Sequence, residues 1–190
     1  MKKYFGLFIG IGIVALLLVI VGATLWGTYN SLVTKSQAID GQWAQVETQY
    51  QRRFDLIPNL VNAVKGIMTQ EQTVFAQIAE ARSKYAGAQT TDEKAAAGGQ
   101  VEAALARLLV VMEAYPQLRS IEAVTQLMDE LAGTENRISV ERQRYNNLVR
   151  DYNTTIKKFP TNLMAGMFNF NEREYFESVT GADTVPKVQF

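Results

Sequence analysis

The sequence has 190 residues, carries 19 basic against 19 acidic side chains and is 47% hydrophobic. That length suits one anchored domain rather than two independent cores, and the zero net charge excludes nucleic-acid binding driven by overall charge. With no cysteine there can be no disulfide, thiolate nucleophile, zinc finger or iron–sulfur cluster; with no histidine there can be no Ser-His-Asp triad, HExxH site or imidazole acid–base group near neutral pH.

The first element is a run from Phe5 to Trp26 without a charged residue. At about 1.5 Å per residue it spans about 33 Å as a helix, close to the ~30 Å of bilayer hydrocarbon. Tyr4 and Phe5 flank it on one side and Trp26 on the other, where aromatic rings favour the headgroup boundary. A cleaved signal peptide is the rival reading, since Lys2-Lys3 resembles an n-region and Val21-Gly22-Ala23 offers small residues for cleavage. Apolar cores of signal peptides are about 7–15 residues long, however, and this run is longer. Cleavage would give a secreted helical protein instead. Lys2 and Lys3, opposed by Lys35, place the N-terminus in the cytoplasm and the bulk of the chain outside. Gly6 and Gly10 form a GxxxG pair through which membrane helices can approach closely.

Beyond Trp26 the pattern is helical. Leu32, Ile39, Trp43, Val46 and Tyr50 keep 3/4 spacing and predict a first helix ending near Phe54. Arg52-Arg53 suits a last turn, Asp55 an N-cap and Pro58 a first turn, so a tight turn is expected over Phe54–Pro58. A second stripe follows in Leu60, Val64, Ile67, Val74, Ile78 and Tyr85. The small and polar stretch Ala86–Gln100 reads as an exposed connection, within which Thr90 and Glu93 have capping-box spacing for a third helix. Against that start, Gly98-Gly99 costs about 1 kcal/mol per glycine relative to alanine. The third stripe is Val101, Leu105, Leu108 and Met112, ending before Tyr115-Pro116. A fourth helix begins near Ser120, holds Val124, Met128, Leu131, Ile138, Tyr145, Val149, Tyr152, Ile156 and Phe159, and stops at Pro160. The expected fold is all-α: a transmembrane helix, an antiparallel bundle of four long helices and a short C-terminal amphipathic segment. The boundaries are 1–4 for the flank, 5–26 for the anchor, 27–160 for the bundle and 161–190 for the apolar-aromatic segment and tail.

YNSLV at 29–33, RRFDLIPNLVNAVKG at 52–66, EARSKY at 80–85, EAYPQL at 113–118 and LMDELAGTENRISVERQRYN at 127–146 resemble the LemA family of prokaryotic membrane proteins. The resemblance continues through VRDYNTTIKKFPTNLMAGMFNFNEREYFE at 149–177 and KVQF at the end, so it covers nearly the whole chain. It implies an N-terminal membrane anchor and an α-helical domain, and it implies no enzyme activity.

Charged residues gather as Glu135, Arg137, Glu141, Arg142 and Arg144, and again as Arg52, Arg53 and Asp55. They read either as a ligand pocket between helices or, more simply, as capping and intrahelical pairing such as Arg137 with Glu141. Di-iron bundles need Glu-x-x-His pairs, and no GxGxxG or GxxxxGK[ST] loop is present. No catalytic residue, metal ligand or cofactor is therefore expected.

Contacts with the lipid bilayer are expected elsewhere. Arg137, Arg142, Arg144, Arg150, Lys157 and Lys158 face only Glu141 and Asp151 along their stretch, and Lys157 and Lys158 suit anionic headgroups. Leu163, Met164, Met167, Phe168 and Phe170, with Tyr175 and Phe176, suit either interfacial docking or folding back to cap the bundle core. Two function classes remain. One is a self-associating scaffold that organises or shapes a membrane patch. The other is a tethered adaptor binding another membrane or envelope protein through the bundle face or the terminal Val188–Phe190.

Overall fold

The computed structural model describes residues 2–176, with side chains from Gly10 onward except that of Arg119. The side chains of Tyr4, Phe5 and Gly6, and the terminal Val188–Phe190, lie outside the described residues. Regular structure among the described residues is helical, without a strand. It comprises α1 (Lys2–Lys65), α2 (Gln72–Gly87), α3 (Thr91–Met112), a 3-10 turn over Pro116–Ser120, α4 (Glu122–Lys157) and α5 (Thr161–Met167). The chain divides into two compact units. Unit 1 takes the chain up to Gly41 together with Asn147–Glu174; unit 2 takes Gln42–Asn146 and the chain from Tyr175.

α1 is one helix of 64 residues, and this corrects the turn expected at Phe54–Pro58. The reason lies in the stripe. Val46, Tyr50, Phe54, Ile57, Leu60 and Val64 are all buried and keep 3/4 spacing straight through Pro58. Proline inside a helix costs about 3 kcal/mol, whereas burying one large apolar side chain stabilises by about 1.5–3 kcal/mol. The buried face on both sides of Pro58 outweighs its missing N–H. Asp55 is consequently not a cap: it lies exposed inside α1 and accepts from Gln51 Nε2 at 2.9 Å. The break comes instead after Lys65, where Gly66 follows the helix and the Met68 amide bonds Val64 O at 2.9 Å. The Met68 side chain, fully buried, pins that turn.

In unit 2, α2 packs on α3 across a short connection. Thr90 caps α3 as its spacing predicts: its hydroxyl accepts from the Glu93 amide at 3.2 Å, and the Glu93 carboxylate accepts from the Thr90 amide at 3.2 Å. The Gln89 backbone amide first, and then that of Thr90, hold the Glu93 carboxyl below its ordinary value. The stretch read as a loop therefore becomes helix from Thr91 onward. Val101, Leu105, Leu108 and Met112 are buried as their stripe predicts. On α4 the stripe is buried at Val124, Leu131, Ile138, Tyr145, Val149, Tyr152 and Ile156, but Phe159 lies past the helix end and is exposed.

By length and composition, α1 and α3 are both apolar enough to cross a membrane. They differ in cover. Every described residue of α1 from Gly10 to Gly27 is exposed, whereas α3 places its apolar stripe in the core of unit 2.

The two capping assignments separate experimentally. Thr90→Ala should cost about 0.5–2 kcal/mol in chemical denaturation followed by circular dichroism, the usual loss for an N-cap. Asp55→Ala should stay within about 0.5 kcal/mol of the parent, as an exposed mid-helix change does. Equal losses would return Asp55 to a capping role.

Candidate functional site

Five side chains of unit 2 form one polar network. Tyr50 and Arg53 stand one turn apart on α1, Glu135 and Arg142 two turns apart on α4, and Glu102 on α3 lies between them. Arg142 Nη2 donates to Glu102 Oε1 and to the Tyr50 hydroxyl, and that hydroxyl lies 3.3 Å from the same Oε1. Arg53 Nη1 pairs with Glu135 and lies 3.9 Å from Glu102 Oε1. A single carboxylate thus faces two guanidinium groups and a phenol. Gln42 Nε2 adds a peripheral bond to Glu141 at 2.6 Å, and the Arg142 guanidinium lies 4.5 Å from the Phe176 ring centroid.

Burial sets the electrostatics. It pushes the Tyr50 phenol well above its ordinary value, helped by the Glu102 charge and opposed by Arg142. For Arg142 burial disfavours the cation, but Tyr50 and Glu102 outweigh it and its pKa is raised. At neutral pH Arg142 is therefore held charged and Tyr50 neutral. The Nε atoms of Arg53 and Arg142 are buried without a hydrogen-bond partner. Gly98, one turn before Glu102, completes the packing: a Cβ there would meet the Tyr50 Cζ and hydroxyl at 2.7 Å. Tyr50, Phe54 and Tyr85 form a ring cluster, with Phe54 and Tyr85 centroids 4.5 Å apart.

Unit 1 is fastened by amides. Asn153, buried on α4, accepts from the Arg173 backbone amide at 2.9 Å and donates to its carbonyl at 2.8 Å. The Arg173 side chain reaches Ser36 at 3.0 Å and Asp40 at 3.1 Å. Lys35 pairs with Asp151, and Lys157 with Glu172 at 2.7 Å. α5 ends in a Schellman-type turn: Asn169 takes φ 58° and the Phe170 amide bonds Ala165 O at 2.9 Å. Phe168 and Phe170 then lie against Tyr29 of α1, with centroids 4.9 and 5.8 Å away.

The residues expected at a lipid surface are therefore divided. Met164 is corrected to a core position, buried with Ala165 on the inner face of α5. Leu163, Met167 and Phe168 remain exposed, Phe170 is half-buried, and Trp26 is exposed at the end of the apolar run. Lys157 and Lys158 are both exposed, the former paired with Glu172. At Gly10 an added Cβ would meet nothing within 4 Å. The pair expected between Arg137 and Glu141 gives way to Arg144 with Glu141 at 2.7 Å. Arg52 and Arg137 line an open groove with Asp129 and Glu130 instead. Sequence reasoning missed Glu102 and Asn153, and it noted Gly98 only as a weak point of the third helix. Glu102 left a trace as a lone acid at a stripe-adjacent position in the apolar run of α3.

The model of the LemA family matches residues 42–190 of this chain. Magnetosome protein MamQ 2 of Paramagnetospirillum magneticum is 29% identical over an alignment of 188 residues, covering 85% of this chain and 69% of the relative. Magnetosome protein MamQ of Magnetospirillum gryphiswaldense is 26% identical over 187 residues, with the same coverage of each chain.

Glu102→Leu should destabilise by about 1–3 kcal/mol, because it leaves the partly buried Arg142 guanidinium without its carboxylate. Arg142→Met should cost less in that background than alone, with a coupling of about 0.5–3 kcal/mol in a double-mutant cycle. Additive losses would mean that the pair is not a unit.

Alkaline pH provides a second readout. Burial first, then the Glu47 charge, pushes Tyr85 from 10.0 up to about 12. The fold thus favours the neutral phenol. Its stabilising contribution is full below pH 10.0 and is lost as pH rises toward about 12. Tyr85→Phe should flatten that part of the stability–pH curve; an unchanged slope would remove the assignment.

Proposed function

The chain belongs to the LemA family, and from that premise we propose a non-catalytic, membrane-anchored helical protein that self-associates into a scaffold organising or shaping a membrane patch. One observation carries the reading: α1 is exposed throughout Gly10–Gly27, yet continues unbroken into the buried positions Leu32, Ile39 and Val46. An apolar run without cover from its own chain needs a solvent other than water. The reading keeps 1–4 as flank, 5–26 as the single membrane span and 27–160 as an antiparallel four-helix bundle with the C-terminal segment 161–190 beyond it. Within unit 2, partners on α4 fall in number as those on α1 rise, from Trp43 with Tyr145 to Arg53 with Glu135, which supports the antiparallel sense. Lys2 and Lys3 favour a cytoplasmic N-terminus and an extracytoplasmic bulk. A non-catalytic role is in keeping with a charge network whose members engage one another rather than a cleft.

Self-association draws on the open surface at Gly10 and on the GxxxG pair that it forms with Gly6. Confinement to a membrane plane raises the effective concentration of weak contacts. A tethered adaptor for another envelope protein is the second reading, favoured by Leu109 and Val110, which α3 leaves exposed.

Crosslinking in intact membranes should give a ladder of homo-oligomers, weakened by Gly6→Leu with Gly10→Leu. A single monomer band unaffected by those changes would remove the scaffold and leave the adaptor. A reporter fused after Phe190 should be active only outside the cytoplasm; a cytoplasmic signal would reverse the orientation.

A further inference from the structure

α5 is apolar on both faces. Met164 and Ala165 fill its inner face, while the outer one presents Leu163 at 58% and Met167 at 75% exposure, next to Phe168 at 49%. Phe159, just before the helix, is 80% exposed. A short helix on a water-exposed surface normally turns polar side chains outward, and contiguous exposed apolar groups mark a contact. The position of the patch says with what. Phe168 lies edge-on to Tyr29, and Tyr29 stands one helical turn beyond Trp26, which is 74% exposed where the uncovered apolar run of α1 ends. All these residues belong to unit 1.

We propose that the outer face of α5, formed by Leu163, Met167 and Phe168 with Phe159 before it, is a lipid seat that lies in the headgroup–hydrocarbon boundary beside the point where α1 leaves the bilayer. This rests on the anchor reading of α1. Aromatic rings at the end of an apolar span settle at that boundary, and the Tyr29–Phe168 contact ties α5 to the same level of α1. Because the span already holds the chain at the membrane, the seat needs no affinity sufficient to recruit the protein from solution. Nor does it need anionic lipid. Lys157 is engaged by Glu172 at 2.7 Å, and burial of apolar side chains drives the contact. The headgroup role expected for the lysine pair thereby passes to the outer face of α5.

The absence of cysteine from the chain makes single labels unambiguous. The full-length protein is reconstituted in phosphatidylcholine vesicles with a nitroxide at Leu163→Cys, Met167→Cys, Trp26→Cys or, as a reference exposed on α4, Ser139→Cys. Collision rates are then measured with oxygen, which concentrates in lipid, and with a nickel chelate, which stays in water. Labels at 163 and 167 should resemble the label at 26. Their oxygen-to-nickel ratio should exceed that of the reference severalfold and should not change between low and molar salt. If the label at 26 reports lipid while those at 163 and 167 report water, the seat is overturned and the anchor stands. If all of them report water, the anchor reading fails and the seat with it. Loss of access to both reagents at 163 and 167 would mean cover by protein, such as a second copy, and would overturn the lipid assignment. A ratio that rises only in vesicles containing phosphatidylglycerol, and collapses in molar salt, would overturn the apolar origin of the contact.

Discussion

Two guanidinium groups share the Glu102 carboxylate, and most of unit 2 is arranged to make that sharing tolerable. An arginine shielded from water and left without a partner is destabilising, so the buried Arg53 and the partly buried Arg142 both find negative charge on helices other than their own. Glu102 on α3 serves both, and Glu135 takes up the remaining demand of Arg53. The requirement fixes which turn of α1 meets which turn of α3 and α4, because a shift of one residue on any of them would turn a charged group away from the others. It also explains Tyr50. A phenolate beside Glu102 would add a second buried anion, and burial keeps the phenol neutral so that its hydroxyl can bridge the acid and the arginine. The close approach of that ring is possible because residue 98 is glycine. The glycine that weakens α3 on propensity grounds is thus what lets α3 reach the network.

Unit 1 combines exposed ion pairs with a neutral amide, where unit 2 buries a charge network. The Asn153 amide matches the donor and acceptor of one residue in an irregular segment, and thereby satisfies backbone groups that have no ladder partner. Asn146 treats Phe176 in the same way in unit 2, accepting from its amide at 2.7 Å and donating to its carbonyl at 3.0 Å. These two asparagines stand seven residues apart on α4, a spacing that returns nearly to the same helix face. The chain that follows α5 is held by specific bonds rather than by a deep apolar core, which explains how it can leave large apolar side chains of α5 on the outside.

Much of this was legible in the sequence because burial follows periodicity. The stripes of α3 and α4, the capping box at Thr90 and the stop before Pro160 depend on local spacing and appear where they were expected. Pro58 did not behave as punctuation because its neighbours Phe54, Ile57 and Leu60 bury enough apolar surface to carry the helix through it. Gly66 was the better stop signal, a glycine two residues after Val64, the last buried residue of the α1 stripe. The charge network was not legible because its members are far apart in sequence, Arg53 from Glu135 by 82 positions. Intrahelical pairing is the default reading for charges three or four apart, and the pairs that matter here cross between helices. Met164 and Met167 show the same limit on a smaller scale: they are one turn apart and equally apolar, yet one is buried and the other exposed.

The distribution of charge bears on the kind of work the protein can do. Arg53, Arg142 and Glu102 are turned inward upon each other, and exposed ions such as Lys157, Glu172, Arg173 and Asp40 are largely paired across unit 1. Among the described residues the chain also leaves large apolar side chains uncovered: the α1 run, the outer face of α5, and Leu109 and Val110 on α3. Charges engaged in this way resist salt less at the surface than in the interior, so added salt should loosen the pairs of unit 1 before it reaches the network of unit 2. An enzyme of the usual kind concentrates perturbed titratable groups in a cleft open to substrate. Here the most perturbed groups, Tyr50 and Tyr85, are shifted toward staying neutral and pack among aromatic rings, and Tyr85 also lines an open groove with Glu47 and Lys94.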